Sequence, residues 1–223
     1  MWEPTVESVM TEKVVTARPD TPFKALVAMM SESHVSGVPV VAASGELVGV
    51  VSEADTLAKQ EHLGGTTARP LFAGRKRRAR WRKAAGTTAA DLMTAPAVTI
   101  GPTESVSAAA RLLAAKKVRR LCVVDEEGRL VGIVSRRDVI GTFLRADDDI
   151  SADVRQLVFK KGMWLFPGTL DVEVTEGVAT VTGSVERRTT AQVAAQLTQA
   201  VPGVVGVRNK IRYELDDTVA NAL

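Results

Sequence analysis

Laid over itself at an offset of 83 residues, the chain matches without a gap: VMTEKVVTARPDTPFKALVAMMSESHVSGVPVVAASGELVGVVSEADTL lies over LMTAPAVTIGPTESVSAAARLLAAKKVRRLCVVDEEGRLVGIVSRRDVI. Met10/Met93, Thr11/Thr94, Thr16/Thr99, Pro19/Pro102, Gly45/Gly128, Gly49/Gly132, Ser52/Ser135 and Asp55/Asp138 all coincide. A repeat of that length confines most of the chain to two copies of one supersecondary unit, each meeting the same pattern of buried and exposed positions. With 223 residues and 45% hydrophobic content, there is material for a real core and for more than one compact unit.

Each copy carries the same local signals. A short β run (VVT, AVT) meets a proline turn, then an amphipathic helix follows (PFKALVAMMSESH, SVSAAARLLAAKK) with apolar residues at helical spacing. Two strands come next, VPVV and LVGVVS around Ser44-Gly45, or LCVVD and LVGIVS around Glu127-Gly128. A last helix begins at the serine. The order is β-α-β-β-α, twice, in an α/β (α+β) chain.

Two readings attach to the junction GVVSEAD (Gly49 to Asp55) and its copy GIVSRRD (Gly132 to Asp138). In the first, Ser-x-x-Asp is a capping box for a helix N-terminus and holds no ligand. In the second, the helix start offers unpaired amides and the positive end of its dipole to a phosphate, with Ser52 or Ser135 donating a hydroxyl. Asp55 or Asp138, one turn on, then accepts both ribose hydroxyls, since an ionised carboxylate only accepts. Val38 and Pro39, or Leu121, supply an apolar surface for an adenine face.

These residues resemble paired CBS domains (named for cystathionine β-synthase), which together form a Bateman module. The resemblance covers residues 6 to 60 and 89 to 145 and includes the Gly-x-x-Ser/Thr-x-x-Asp signature in both copies. It implies a module that binds adenine nucleotides or related adenosyl ligands between the paired domains, regulates an attached part, and associates into disc-like dimers through apolar helices such as FKALVAMM and AAARLLAA. It also implies ligand contacts at Thr16 and Thr99, at the ends of the first β runs. The sites are not equivalent: the second copy has Arg119 and Arg120 where the first has Ser36 and Gly37, and Arg136 and Arg137 where the first has Glu53 and Ala54. Guanidinium groups there either bind extra phosphates or fill an empty cleft. We expect polyphosphate at the second site, with Arg120 and Arg136 as its contacts.

After RADDD, the segment ISADVRQLVFKKGMW reads as a helix and LDVEVTEGVATVTGSV as a hairpin turning at Glu176-Gly177. RTTAQVAAQLTQAV reads as a helix stopped by Pro202-Gly203, and VVGVRNKIRYEL as a last strand. GVATVTGSV, a helix and then VPGVVGVRNKI resemble a BON domain, which implies a small α/β fold that meets phospholipid or other macromolecules. Its eight basic residues stand against eleven acidic ones, so a protein target is as well supported as a lipid surface. Gly183 and Gly203 read as backbone requirements.

Between the copies, Arg69, Arg75, Lys76, Arg77, Arg78, Arg80, Arg82 and Lys83 stand with no acidic residue from His62 to Ala90. Setting them aside turns the net charge of +3 into 21 basic against 26 acidic residues, net −5. The run from Arg75 to Lys83, interleaved with Trp81, reads either as a solvated loop or as a polyanion-binding segment for nucleic acid or anionic membrane. The expected domains are 1–60 (first CBS), 61–88 (linker), 89–145 (second CBS), 146–217 (BON) and 218–223 (tail).

His34 and His62 have no metal-ligand or nucleophile-base spacing with each other or with Cys122, which sits in an apolar run as a small core residue. The expectation is therefore no catalytic residues, no metal and no obligatory cofactor, with an adenine nucleotide as regulatory ligand. The start MWEPTVESVM lacks a basic leader and apolar core, so a cytoplasmic protein is expected, and the CBS resemblance with its apolar helices implies a homodimer. Two functions follow: a nucleotide sensor with the BON domain as output or anchor, or a constitutive scaffold with empty clefts whose linker binds nucleic acid or membrane.

Overall fold

The computed structural model describes residues 3–63, 83 and 85–218. Arg75, Lys76, Arg77, Arg78, Arg80, Trp81 and Arg82 lie outside the described residues. Internal contacts divide the chain into two compact units, one of Met10–Glu104 with Arg111–Ser135, the other of Met1–Val9 with Ser105–Ala110 and Arg136–Leu223. Among the described residues no helix is long and apolar enough to cross a membrane.

In chain order the repeats form α1 (Phe23–Glu32), β1 (Gly37–Val41), β2 (Leu47–Ser52), α2 (Glu53–Leu63), α3 (Ala89–Leu92), β3 (Thr99–Ile100), α4 (Val106–Ala115), β4 (Arg120–Val124), β5 (Leu130–Ser135) and α5 (Arg136–Gly141). Leu26 and Met30, one turn apart on α1, pack with Val38, Val40, Val51 and Leu92 into one core. β1 pairs antiparallel with β2, and β4 with β5, in the same register: Gly37 faces Ser52 and Arg120 faces Ser135. In β2 and β5 the buried positions are also the same, Gly49 and Val51 in one and Gly132 and Val134 in the other. The repeat in sequence is thus a repeat in environment.

One expected strand does not form. Val14 to Thr16 were expected to end in Thr16 as a β run, but the chain there meets β1 only through a bridge of Ala17 to Val40. The Ala17 N–H donates to Pro39 O at 2.9 Å and its carbonyl accepts from Val41 N–H at 2.9 Å; then Arg18 N–H turns to Thr21 Oγ1 at 2.8 Å and the ladder stops. The second copy keeps two residues, with Thr99 opening β3 parallel to β4 instead of ending a run. Both final helices begin one residue after the serine, at Glu53 and Arg136.

The copies exchange segments. Thr11 pairs with Ile133 through N–H to carbonyl bonds of 2.9 and 3.0 Å, and Thr94 pairs with Val50 through bonds of 2.8 and 3.1 Å. This lays Met10 over Gly132 and Met93 over Gly49: a Cβ on Gly132 would stand 2.5 Å from Met10 Sδ, and one on Gly49 2.7 Å from Met93 Sδ. The signature glycines are glycines because a methionine of the other copy occupies the place of a side chain. Cys122, 3% exposed among Leu121, Val123 and Val134, is a core residue whose thiol burial pushes up to about 11.

In the other unit, α6 (Asp147–Asp153) runs into π-helical turns at Val154–Gly162, and β6 (Leu170–Thr175), β7 (Val178–Arg187) and β8 (Gly206–Leu215) form a sheet in the order β6-β7-β8. Helix α7 (Arg188–Gln199) connects β7 to the parallel β8. Ile150, Val154, Val158, Val172, Val181 and Ala194 fill the core on the helical side. The acidic residues after Arg145 act locally, since Asp147 accepts the Glu176 and Gly177 N–H groups at 2.7 and 2.9 Å and so closes the hairpin turn. Arg145 itself donates to Pro202 O at 3.1 Å and Asp153 Oδ2 at 2.7 Å. Across the open face the registers align Glu173, Thr180 and Arg208, then Asp171, Thr182 and Lys210, so the sheet is acidic along β6, hydroxylic along β7 and basic along β8.

Candidate functional site

At the first signature, Asp55 Oδ2 accepts the Ser52 N–H at 2.9 Å and the Ser52 hydroxyl at 2.7 Å. That geometry alone is a cap. Thr88 and Asp91 make the equivalent box at α3, where bonds from the Thr87 and Thr88 N–H groups and the Thr88 hydroxyl hold the Asp91 carboxyl below its ordinary range. What separates Ser52 from Thr88 is its surroundings.

Three cations come to the first signature from distant parts of the chain. Arg120 leaves β4 and crosses to the first copy, donating to Gly37 O at 3.1 Å and Ser36 Oγ at 2.5 Å, directly across β1 from Ser52. Arg119 stands 3.6 Å from Glu53 in an exposed pair. Lys83 Nζ lies 2.9 Å from Asp55 Oδ1 and 2.7 Å from Thr94 Oγ1, with the Asp55 side chain only 12% exposed. Behind it the returning chain is pinned to α2 and α1: Lys59 Nζ donates to Gly86 O at 2.5 Å and lies over the Phe23 ring, and Phe23 N–H donates to Thr87 O at 2.8 Å.

The remaining expected residues divide by burial. Val38 and Leu121 are fully buried, Val38 as part of the core; Pro39 is buried on the opposite side of β1, and Thr16, the residue before the Ala17 bridge, is half-buried. In the second copy Thr99 is exposed, Ser135 closes β5 opposite Arg120, and Arg136 and Asp138 begin α5. Arg120, expected at the second site, therefore bonds to the first copy. Among the described residues no group of three or more His, Cys, Asp or Glu side chains is placed to hold a metal ion.

In the sequence Lys83 reads as one more charge of the linker, with no sign of its pairing with Asp55. Nothing in the local pattern marks it, since the partners are 28 residues apart, Asp55 well ahead of the basic run and Lys83 at its end. The methionine-glycine exchange had a visible signal: both members of the pair recur at the offset of 83.

A CBS domain model matches residues 6–61 and 89–145, and a BON domain model matches residues 146–214. Over 154 residues the chain is 31% identical to the CBS domain-containing protein CBSX1, chloroplastic, of Arabidopsis thaliana, covering 63% of this chain and 64% of that protein. The chain therefore spans less than two thirds of that relative's length. It is also 31% identical over 137 residues to inosine-5'-monophosphate dehydrogenase of Mycobacterium tuberculosis, a match that covers 22% of the enzyme. Among solved structures it resembles CBSX2 of Arabidopsis thaliana in complex with AMP, at 32% identity and a TM-score of 0.56, over 63% of this chain and 96% of that one.

Proposed function

The chain belongs to the CBS-domain family, as a tandem pair followed by a BON domain, and from that premise we propose that it is an adenine-nucleotide-sensing regulatory protein of the cytoplasm. Both domain types are typically regulatory and not catalytic. The observation that carries the reading is the convergence at the first signature of a helix N-terminus, the Ser52 hydroxyl, the Asp55 carboxylate and the Arg120 guanidinium. Those are the groups an adenosine phosphate needs: donors and a cation for the phosphate, an acceptor for the ribose. The similarity to CBSX2 in complex with AMP supports the same ligand class here.

Asp55 and Asp138 hold ribose in this reading. Ser52 and Ser135 serve phosphate, with Arg120 and Arg136 as counter-charges. Thr16, Thr99 and Pro39 border the base pockets, with the fully buried Val38 and Leu121 as apolar backing. The protein acts as a homodimer, supported by apolar side chains left exposed on the repeat helices: Leu57 on α2, Val27 on α1 and Ile140 on α5. The BON domain is the output or anchor, and Trp164 and Phe166, each 86% exposed, are its contact residues for a protein target or phospholipid.

Calorimetric titration of the whole chain with AMP, ADP, ATP and S-adenosylmethionine tests this directly. Asp55→Ala and Asp138→Ala are each expected to weaken binding at their own site by about 1.5–3 kcal/mol, roughly 10- to 150-fold in Kd, with Asp55→Ala also melting earlier by about 0.5–2 kcal/mol because it loses the Ser52 cap and the Lys83 pair. Sedimentation of the same samples is expected to give the mass of a dimer. Affinities equal to the unsubstituted protein in both variants would remove the site assignment, and a monomer mass would remove the dimer.

A further inference from the structure

Resting on the nucleotide reading above, we propose that Lys83 determines which ligand class the first site accepts, favouring 5′-phosphorylated nucleosides over uncharged nucleosides and sulfonium nucleosides. The argument is one of lone pairs. An ionised carboxylate has about four acceptor positions, and at Asp55 three are taken: Ser52 N–H and Ser52 Oγ–H on Oδ2, and Lys83 Nζ on Oδ1. A ribose brings two hydroxyl donors, so one present donor has to leave.

Which donor leaves depends on what the sugar carries. A 5′-phosphate gives the Ser52 hydroxyl a second anionic acceptor. The hydroxyl turns to it, the second ribose bond takes its place on Asp55, and Lys83 stays, held by Thr94 Oγ1 at 2.7 Å and available as a cation in a site that already contains Arg120. Adenosine offers Ser52 no such acceptor, so its second hydroxyl has to evict the ammonium from a largely buried carboxylate. A sulfonium adenosyl ligand meets the same eviction and brings a positive charge beside the one it displaces. Lys83 is kept in place by more than this ion pair: its own carbonyl accepts the Gly86 N–H at 3.0 Å, and Gly86 O is held by Lys59. The last residue of the basic run thus acts as a site residue.

The test measures AMP and adenosine affinities in an Asp138→Ala background, so that only the first site reports. Lys83→Met is expected to strengthen adenosine binding, weaken AMP binding and lower the AMP-to-adenosine preference about tenfold. Lys83→Arg, which keeps the charge, is expected to retain most of the preference, a rescue that a merely structural lysine would not predict. Lys83→Gln, tested alongside with melting curves for all variants, guards against a change caused by unfolding. A preference unchanged in both neutral variants overturns the role of Lys83 while leaving the nucleotide reading intact. Absence of AMP and adenosine binding in the Asp138→Ala protein with Lys83 present overturns the first-site reading, and the role of Lys83 with it.

Discussion

Gly183→Val is expected to unfold the C-terminal sheet, with a loss of roughly 3–5 kcal/mol, most of what a small domain has. Gly183 sits in β7 at φ +121°, a conformation that costs a residue with a side chain about 1–3 kcal/mol. The space is also closed: a Cβ there would lie 2.3 Å from Thr169 O and 3.0 Å from Leu170 Cα, both backbone atoms that no rotamer change can move. Relief would require separating β6 from β7, where Leu170 and Gly183 are register partners beside the buried Val172 and Val181. Gly206→Ala in β8 is the control, because that glycine has a negative φ and nothing within 4 Å of an added Cβ. Denaturant melting of the two variants is the measurement. A Gly183→Val protein that melts within about 1 kcal/mol of the unsubstituted chain would show that the strand is not held as described.

The second large effect is expected at the exchange between repeats. Gly132→Val places a branched side chain where Met10 Sδ lies 2.5 Å and Thr11 O 3.2 Å from its Cβ. The sulfur can swing away but the carbonyl cannot, since it accepts the Ile133 N–H at 3.0 Å. Overpacking of this kind costs about 1–3 kcal/mol. Met10→Ala empties the space, so the double variant Met10→Ala, Gly132→Val is expected to be more stable than the sum of the single losses by about 1 kcal/mol or more, where unrelated sites would add. The same cycle at Met93 and Gly49 is expected to give the same sign. Strict additivity at both pairs would mean that methionine and glycine do not share that space.

Most of the architecture is legible in the sequence. The strands LVGVVS and LVGIVS, the turns at Gly45, Gly128 and Glu176-Gly177, and the stop of α7 before Pro202 all follow from alternation, turn chemistry and helix punctuation within a few residues. The misreadings came where a distant partner decides. Val14 to Thr16 have β propensity, but the turn from Arg18 to Thr21 leaves them a single bridge at Ala17. Ser-x-x-Asp reads the same at Ser52 as Thr-x-x-Asp does at Thr88, and only Arg120 and Lys83, brought in by the fold, tell the two apart. Charge composition could not place Lys83, because composition does not say which end of a basic run is tied down.

The methionine-glycine exchange also bears on how such a chain arises. A single repeat would carry both halves of the fit, a methionine ahead of its strands and a glycine in the last of them, and two separate copies would satisfy each other's fit as the fused ones do. Fusion then adds local concentration and supplies no part of that methionine-glycine fit. A tether with only that duty has few demands on its composition. The far end of this tether does more than span, since Lys83 pairs with Asp55.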